Sequence, residues 1–138
     1  MSYFLIFEVT KKHAFSSGQT DWNAKGLLQG RTDIPLNNHG RLQAKLAGVW
    51  LKEETYDTVY ASPLSRAYDT AKILLDNQIQ NNNTSSNIIK DVALIEREFG
   101  VFEGKPFNEL VEAELASGKG FVMVRQKISH VLSVVEGI

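Results

Sequence analysis

Apolar and polar positions follow two rhythms along this chain. Residues 3–9 run Tyr-Phe-Leu-Ile-Phe-Glu-Val, a nearly continuous apolar stretch of the kind found in strands covered on both faces. From Lys11 to about Asn38 the chain turns polar and glycine-containing, which predicts a loop. A helical period takes over at about 38–53, with Leu42, Leu46, Val49 and Trp50 on one face and Asn37 or Asn38 as cap. That face is expected to pack on a sheet. A second strand at 58–61 runs into Ser62-Pro63, a cap followed by a proline at the first helical position. The helix it opens is predicted to reach about Asp76, with Leu64, Ala67, Ala71, Leu74 and Leu75 as its buried stripe.

The tract from Gln80 to Asn87 is too polar to pack and reads as a loop; its Asn-x-Ser/Thr triplets read as an unmodified linker. A third strand is predicted at about 88–94, from Ile88, Ile89, Val92 and Leu94. Helices follow at about 106–117, ended by Gly118, and at about 120–135, with Phe121, Val124, Ile128, Val131, Leu132 and Val135 on one stripe. Strands and helices in alternation predict an α/β layer architecture, and no fixed period suggests a solenoid.

Composition narrows this picture. A length of 138 residues with 43% hydrophobic content suits one domain, 1–138, and not two. The net charge of -1 creates no global attraction to nucleic acid or an anionic membrane, so neither partner is expected. No cysteine is present, which excludes a disulfide framework and a thiolate nucleophile. The opening run lacks a basic leader and is broken by Glu8, and no stretch approaches the ~20 apolar residues of a membrane span. A cytoplasmic protein is the expectation. The histidines and carboxylates show no metal-ligand spacing, so no metal and no other cofactor is expected.

The candidate chemistry is that of a phosphate. A phosphoryl dianion is best held by guanidinium forks and by free backbone N–H groups at a helix start. Arg66, in the first turn of a helix that begins right after a strand, offers both; the ordinary alternative is a surface ion pair. Gln19, Thr20 and Asn23 carry amide and hydroxyl groups able to donate to phosphate oxygens, or serve as turn formers, with Gly18 a backbone convenience.

Four motifs, in this order, carry a resemblance: Gly18-Gln19-Thr20-Asp21-Trp22-Asn23, Pro35-Leu36-x-x-x-Gly40-x-x-Gln43-Ala44, Ala61-Ser62-Pro63-Leu64-Ser65-Arg66-Ala67, and Leu94-x-Glu96-x-x-Phe99-Gly100-x-x-Glu103-Gly104-Lys105. Together they resemble the histidine phosphatase superfamily, the phosphoglycerate-mutase-like enzymes that move phosphoryl groups through a phosphohistidine. The resemblance implies a three-layer sandwich with helices on both faces of a mostly parallel sheet, here incomplete at the C-terminus. It implies hydrolysis or transfer of phosphate on a small phosphorylated metabolite without metal, with Arg66 and Glu96 catalytic. Gly18, Gln19, Thr20, Asn23 and Arg66 would line the substrate site. Glu96 would act as general acid and base, for which its carboxyl has to be held protonated by burial or nearby charge. Otherwise Glu96 joins Arg97 and Glu98 in a solvated charge cluster.

The chain departs from the family pattern in three places. The first motif of the family reads Arg-His-Gly, and Ser16 and Ser17 stand where the Arg and His belong, so the nucleophile position is degenerate. A serine hydroxyl is un-ionised at neutral pH unless a base takes its proton. The second pocket histidine of the family lies in a Ser-His-Gly turn on a later strand, placed between the first and second strands of the sheet, and the sequence stops at Ile138 before it. Without that strand the first two strands are expected to have unpaired edges or to pair with each other. Third, Glu8–Ser16 separates the apolar strand from Gly18. His13, His39 and His130 read as loop or surface residues, His13 being the one candidate for a displaced phospho-acceptor. Two function classes follow: an impaired phosphatase or mutase, and a catalytically inactive module that binds a phosphoester or a partner, or a truncated product without a role. The sequence leaves oligomeric state and substrate identity open.

Overall fold

A computed structural model of the chain describes residues 3–7, 12–51, 54, 56, 58–79 and 87–117. The predicted helix at 120–135, most of the polar tract before Asn87, and the predicted stop at Gly118 lie outside the described residues. Four strands form one sheet: β1 (Tyr3–Phe7), β2 (Lys12–Ser16), β3 (Thr58–Ala61) and β4 (Ile88–Lys90), in the order β2-β1-β3-β4. β3 and β4 are parallel, while β1 runs antiparallel to both β2 and β3. Three of the four strands therefore point the same way, a mostly parallel sheet with one reversed member.

The reversed strand corrects one expectation and decides between the two outcomes of another. Residues 12–16 are a strand and not loop, because β1 offers a complete partner edge, with Phe4 opposite Phe15 and Leu5 opposite Ala14. Backbone pairing is indifferent to the polar residues that hid this strand in the sequence. Ser17 consequently follows a strand end directly, and the apparent spacer before Gly18 is a strand in its own right. Of the two outcomes expected for the strand edges, pairing is the one found: β1 pairs with β3, Phe4 opposite Ala61. β1 thus lies between the strand entering the first motif and the strand entering Ser62-Pro63, the place the family resemblance gives to a later strand.

Four helices complete the described fold: α1 (Asp21–Ala24), α2 (Asn38–Trp50), α3 (Ser65–Ile79) and α4 (Phe107–Ala116). α3 carries the core as the spacing predicts. Ala67, Ala71 and Leu74 are wholly buried, and Leu64 and Leu75 nearly so. With Tyr56, Val59 and Ala61 this stripe makes the apolar centre, on which Phe15, Ala47, Leu51, Tyr68 and Ile88 also pack. The third strand is shorter than predicted. Asp91 donates its backbone N–H to Ala61 and then caps a single 3-10 turn, Val92–Leu94, by accepting from the Ala93 N–H at 2.9 Å.

The largest correction concerns α2. Asn37 caps it as predicted, accepting from the Gly40 N–H at 2.9 Å, but Leu42, Leu46, Val49 and Trp50 face solvent, Trp50 at 87% exposure. The buried face is instead Gly40, Ala44 and Gly48, and the helix packs chiefly on α3, with Ala47 against the core that includes Val59 and Ala61. Small residues win because they permit a close approach that leucines would block. Gly40 shows how close: a Cβ there would lie 2.1 Å from the Gln19 carbonyl oxygen, and one on Gly18 would lie 2.6 Å from the Gly40 oxygen. α2 is thereby pressed against the loop that carries the first motif.

Two consequences are measurable by denaturant unfolding. Gly40→Ala should lower stability by about 1–3 kcal/mol, since backbone has to move to admit the methyl group. Leu46→Ala, on the exposed apolar face, should change it by less than about 0.5 kcal/mol; a large loss there would show that this face is covered.

Candidate functional site

The loops that follow β2 and β3 converge around Arg66. Gly18, two residues beyond β2, donates its backbone N–H to Thr70 Oγ1 at 3.1 Å, and that hydroxyl donates to the Arg66 carbonyl at 2.6 Å. The first motif and the opening of α3 are thus joined through one buried threonine. Ser17 lies half-buried at the strand exit, beside Gly18. Gln19 is fixed against α2: its N–H donates to Gln43 Oε1 at 2.9 Å, and its own side-chain oxygen accepts from Asn37 Nδ2 at 3.1 Å.

Thr20 and Asn23 cap one another across α1. Thr20 Oγ1 accepts from the Asn23 N–H at 3.2 Å, and Asn23 Oδ1 accepts from the Thr20 N–H at 2.9 Å. The Thr20 hydroxyl, fully buried, also donates to Gln29 Oε1 at 2.6 Å. These polar atoms shape the turn, while Asn23 is exposed.

Arg66 is the centre of the arrangement. It is 0% exposed, the largest fully buried side chain among the described residues. Its Nη1 donates to the Thr32 carbonyl at 2.9 Å and its Nη2 to the Gly30 carbonyl at 2.7 Å. Nε, equally buried, has no hydrogen-bond partner among the described residues. Burial lowers the pKa of the guanidinium, and the charges of Asp33, Glu96 and Glu103 act the other way. The group remains a cation at neutral pH. Glu96, 5% exposed, is one of the carboxylates near enough to act on it. The structure therefore brings Arg66, Glu96 and, through Thr70, Gly18 together. The exposed Arg97 and Glu98 turn elsewhere, Arg97 toward Glu114 at 3.9 Å and Glu98 toward Arg31 at 4.0 Å.

Two carboxylates that sequence reasoning gave no role stand out. Asp33 Oδ1 accepts from both the N–H and the hydroxyl of Ser65, each at 2.8 Å. The start of α3, expected to keep its amides free for an anion, has a carboxylate of this chain on its first N–H. The helix also begins two residues later than Pro63 suggests, with Ser62 Oγ accepting from the Leu64 N–H at 3.4 Å. Glu103 is the second. Oε1 accepts from the N–H groups of Arg31 at 3.1 Å and Phe99 at 3.0 Å; Oε2 accepts from the Thr32 N–H at 3.0 Å and from the Thr32 hydroxyl. The signal that could have found it was its place in the fourth motif, seven residues after Glu96.

Burial raises the pKa of Glu103, but its hydrogen bonds from Thr32 and from the backbone of Phe99 and Arg31 together outweigh that effect and hold it below the usual carboxylate value of 4.5. A depressed carboxylate contributes stability above its unfolded value and loses it as pH falls through the folded one. Acid unfolding should therefore steepen below about pH 4.5, and Glu103→Gln should flatten that part of the profile; equal slopes would show that these bonds do not favour the charged form.

Among the described residues no group of histidine, aspartate and glutamate side chains could hold a metal, and no helix is long and apolar enough to cross a membrane. His39 is exposed, as expected; the side chains of His13 and His130 lie outside those described. Comparison with known proteins supplies the lineage. The chain is 41% identical over 103 residues to fructose-2,6-bisphosphatase TIGAR B of Danio rerio, a match covering 74% of this chain and 39% of that protein. It is 39% identical over 92 residues to the uncharacterized phosphatase PhoE of Bacillus subtilis, covering 67% and 45%. Among solved structures, phosphoglycerate mutase from Bacillus anthracis superposes with a TM-score of 0.64 at 30% identity, covering 74% of this chain and 44% of that one. Phosphoserine phosphatase from Entamoeba histolytica, in complex with 3-phosphoglyceric acid, gives 0.60 at 30% identity, covering 75% and 50%. The chain thus spans less than half the length of the curated relatives it matches here. Residues 17–121 match the family model of branch 1, and the chain belongs to the histidine phosphatase superfamily.

Proposed function

We propose that this chain binds the phosphoryl group of a small phosphorylated metabolite at Arg66 and belongs, by chemistry, to the hydrolases and transferases of phosphate, with turnover severely reduced. The observation that carries this reading is the Arg66 guanidinium: wholly buried, clamped through both Nη atoms, and left with an Nε that has no partner among the described residues. A buried donor without an acceptor costs about 1–3 kcal/mol, which a phosphoryl oxygen would recover. Glu96, close enough to act on Arg66, is the group to donate a proton to the leaving oxygen and then take one from water. Gly18, Gln19, Thr20 and Asn23 frame the loop beside it.

Turnover is the weak point. Ser17, at the strand exit where the family resemblance calls for a histidine, lacks an imidazole, and deletion of a nucleophile in a protease cost about a millionfold in rate. On this reading the chain is one cytoplasmic domain that works without metal or cofactor.

A second reading, a catalytically silent module that binds a phosphoester or a partner, has its own support. Asp33, Glu96 and Glu103 surround one guanidinium, an excess of negative charge that opposes a dianion.

Turnover of p-nitrophenyl phosphate separates the two. The reduced-enzyme reading predicts a rate above buffer, about a millionfold below that of an active family enzyme, which disappears in Arg66→Lys. Lysine keeps the charge but cannot fork between the Gly30 and Thr32 carbonyls. A rate equal to buffer for both proteins would favour the silent module, and a rate untouched in a folded Arg66→Lys would remove Arg66 from the site.

A further inference from the structure

Arg66 is held by backbone carbonyls, and carbonyls of a loop are only as fixed as the loop. The segment Gly30–Thr32 is not part of a helix or strand of the sheet, and Gly30 adopts a left-handed conformation with φ of 55°. Its order has to come from outside. On one side the chain is tied by a reciprocal pair of backbone bonds, Leu28 N–H to the Lys105 carbonyl at 2.9 Å and Gly104 N–H to the Leu28 carbonyl at 2.8 Å. On the other, the Glu103 carboxylate collects the N–H groups of Arg31 and Thr32 and the Thr32 hydroxyl, and reaches the N–H of Phe99 as well.

We propose that Glu103 is the positioning residue for Arg66: by fixing the amides of residues 31 and 32 it aims the carbonyls of Gly30 and Thr32 at the two Nη atoms. The peptide plane is what connects the two functions. The amide of Arg31 and the carbonyl of Gly30 belong to one rigid plane, so a carboxylate that orients the first also orients the second. The neighbouring plane, with the Thr32 N–H, fixes where residue 32 begins. A bidentate clamp of this kind confers geometry as well as energy, and its effect here is to hold the guanidinium in one orientation by both Nη atoms. The close fit is visible at Gly30, where a Cβ would lie 2.2 Å from Glu103 Oε1. Any side chain at position 30 would push the carboxylate off its donors. Glu103 and Gly30 are therefore one device. This inference rests on the reading of Arg66 as the phosphate ligand for its functional meaning, but its geometry stands without a ligand.

The test is chosen accordingly. In protein labelled with 13C and 15N arginine, rotation of the Arg66 guanidinium about Nε–Cζ is read by NMR from exchange of the two Nη signals, with no ligand added. In the wild type both Nη atoms are bonded and rotation is slow. Glu103→Gln, which keeps one acceptor oxygen and loses the charge, should speed it by about tenfold or more. Gly30→Ala should do the same, since its methyl group displaces the carboxylate without removing its charge. Leu74→Ala is the control, since it removes a wholly buried core side chain far from the carboxylate in function; it should lower stability and leave the rotation rate alone. Unchanged rotation in folded Glu103→Gln and Gly30→Ala would overturn the proposal, as would equal acceleration in the Leu74→Ala control. Binding of inorganic phosphate, measured separately on the same proteins, reports on the phosphate reading of Arg66, so either idea can fail while the other stands.

Discussion

A fully buried guanidinium must have its hydrogen bonds met by the fold, and in this chain that requirement organises everything around residue 66. An arginine in the first turn of α3 would ordinarily reach solvent. Here it turns inward, and loop carbonyls from Gly30 and Thr32 meet it. The Arg66 carbonyl is itself tied through Thr70 to Gly18. Segments from four distant parts of the sequence are thus joined: the exit of β2, the loop before α2, the start of α3 and the turn that contains Glu103. Leaving a buried charge without partners costs several kcal/mol, so these segments have reason to stay together. The close contact of Gly18 with Gly40 adds a steric condition to the same end.

What the sequence disclosed and what it hid divide along physical lines. The α3 stripe was legible because its leucines and alanines pack on the sheet with a helical period and little else competes for them. β2 was not, since its identity depends on β1 and pairing leaves no mark on a polar pentapeptide. α2 shows a periodic apolar face misleading: Leu42, Leu46, Val49 and Trp50 follow the helical rhythm, yet the glycines and alanine opposite let the helix approach α3 and the first motif more closely. For the site, Arg66 and Glu96 could be named from motif context, and Gly18 with them. The partners of Arg66 could not, because main-chain carbonyls carry no side-chain signature. Glu103 lay in plain view within the fourth motif and Asp33 two residues before the second, and both escaped, as a carboxylate that bonds backbone amides looks in sequence like any exposed acid.

Family membership and the local chemistry pull in different directions. The match over residues 17–121 and the phosphatase and mutase relatives speak for phosphoryl chemistry. The microenvironment adds Asp33, Glu96 and Glu103 around a single buried cation, and Ser16 and Ser17 contribute no positive charge to redress the balance. Electrostatic attraction for a dianion must therefore be modest and local, carried by one unsatisfied donor and by shape. Asp33, seated on the first amide of α3, occupies a place an anion would otherwise favour. On the proposed reading, the site would hold a phosphoryl group in a defined orientation and would not draw it in from afar.

The central claim is that the Arg66 guanidinium is the phosphate ligand. Isothermal calorimetry of inorganic phosphate with the wild-type chain and with folded Arg66→Lys tests it most directly. The account predicts binding on the order of millimolar for the wild type, and none detectable in the variant. Equal affinity in the two proteins would contradict it.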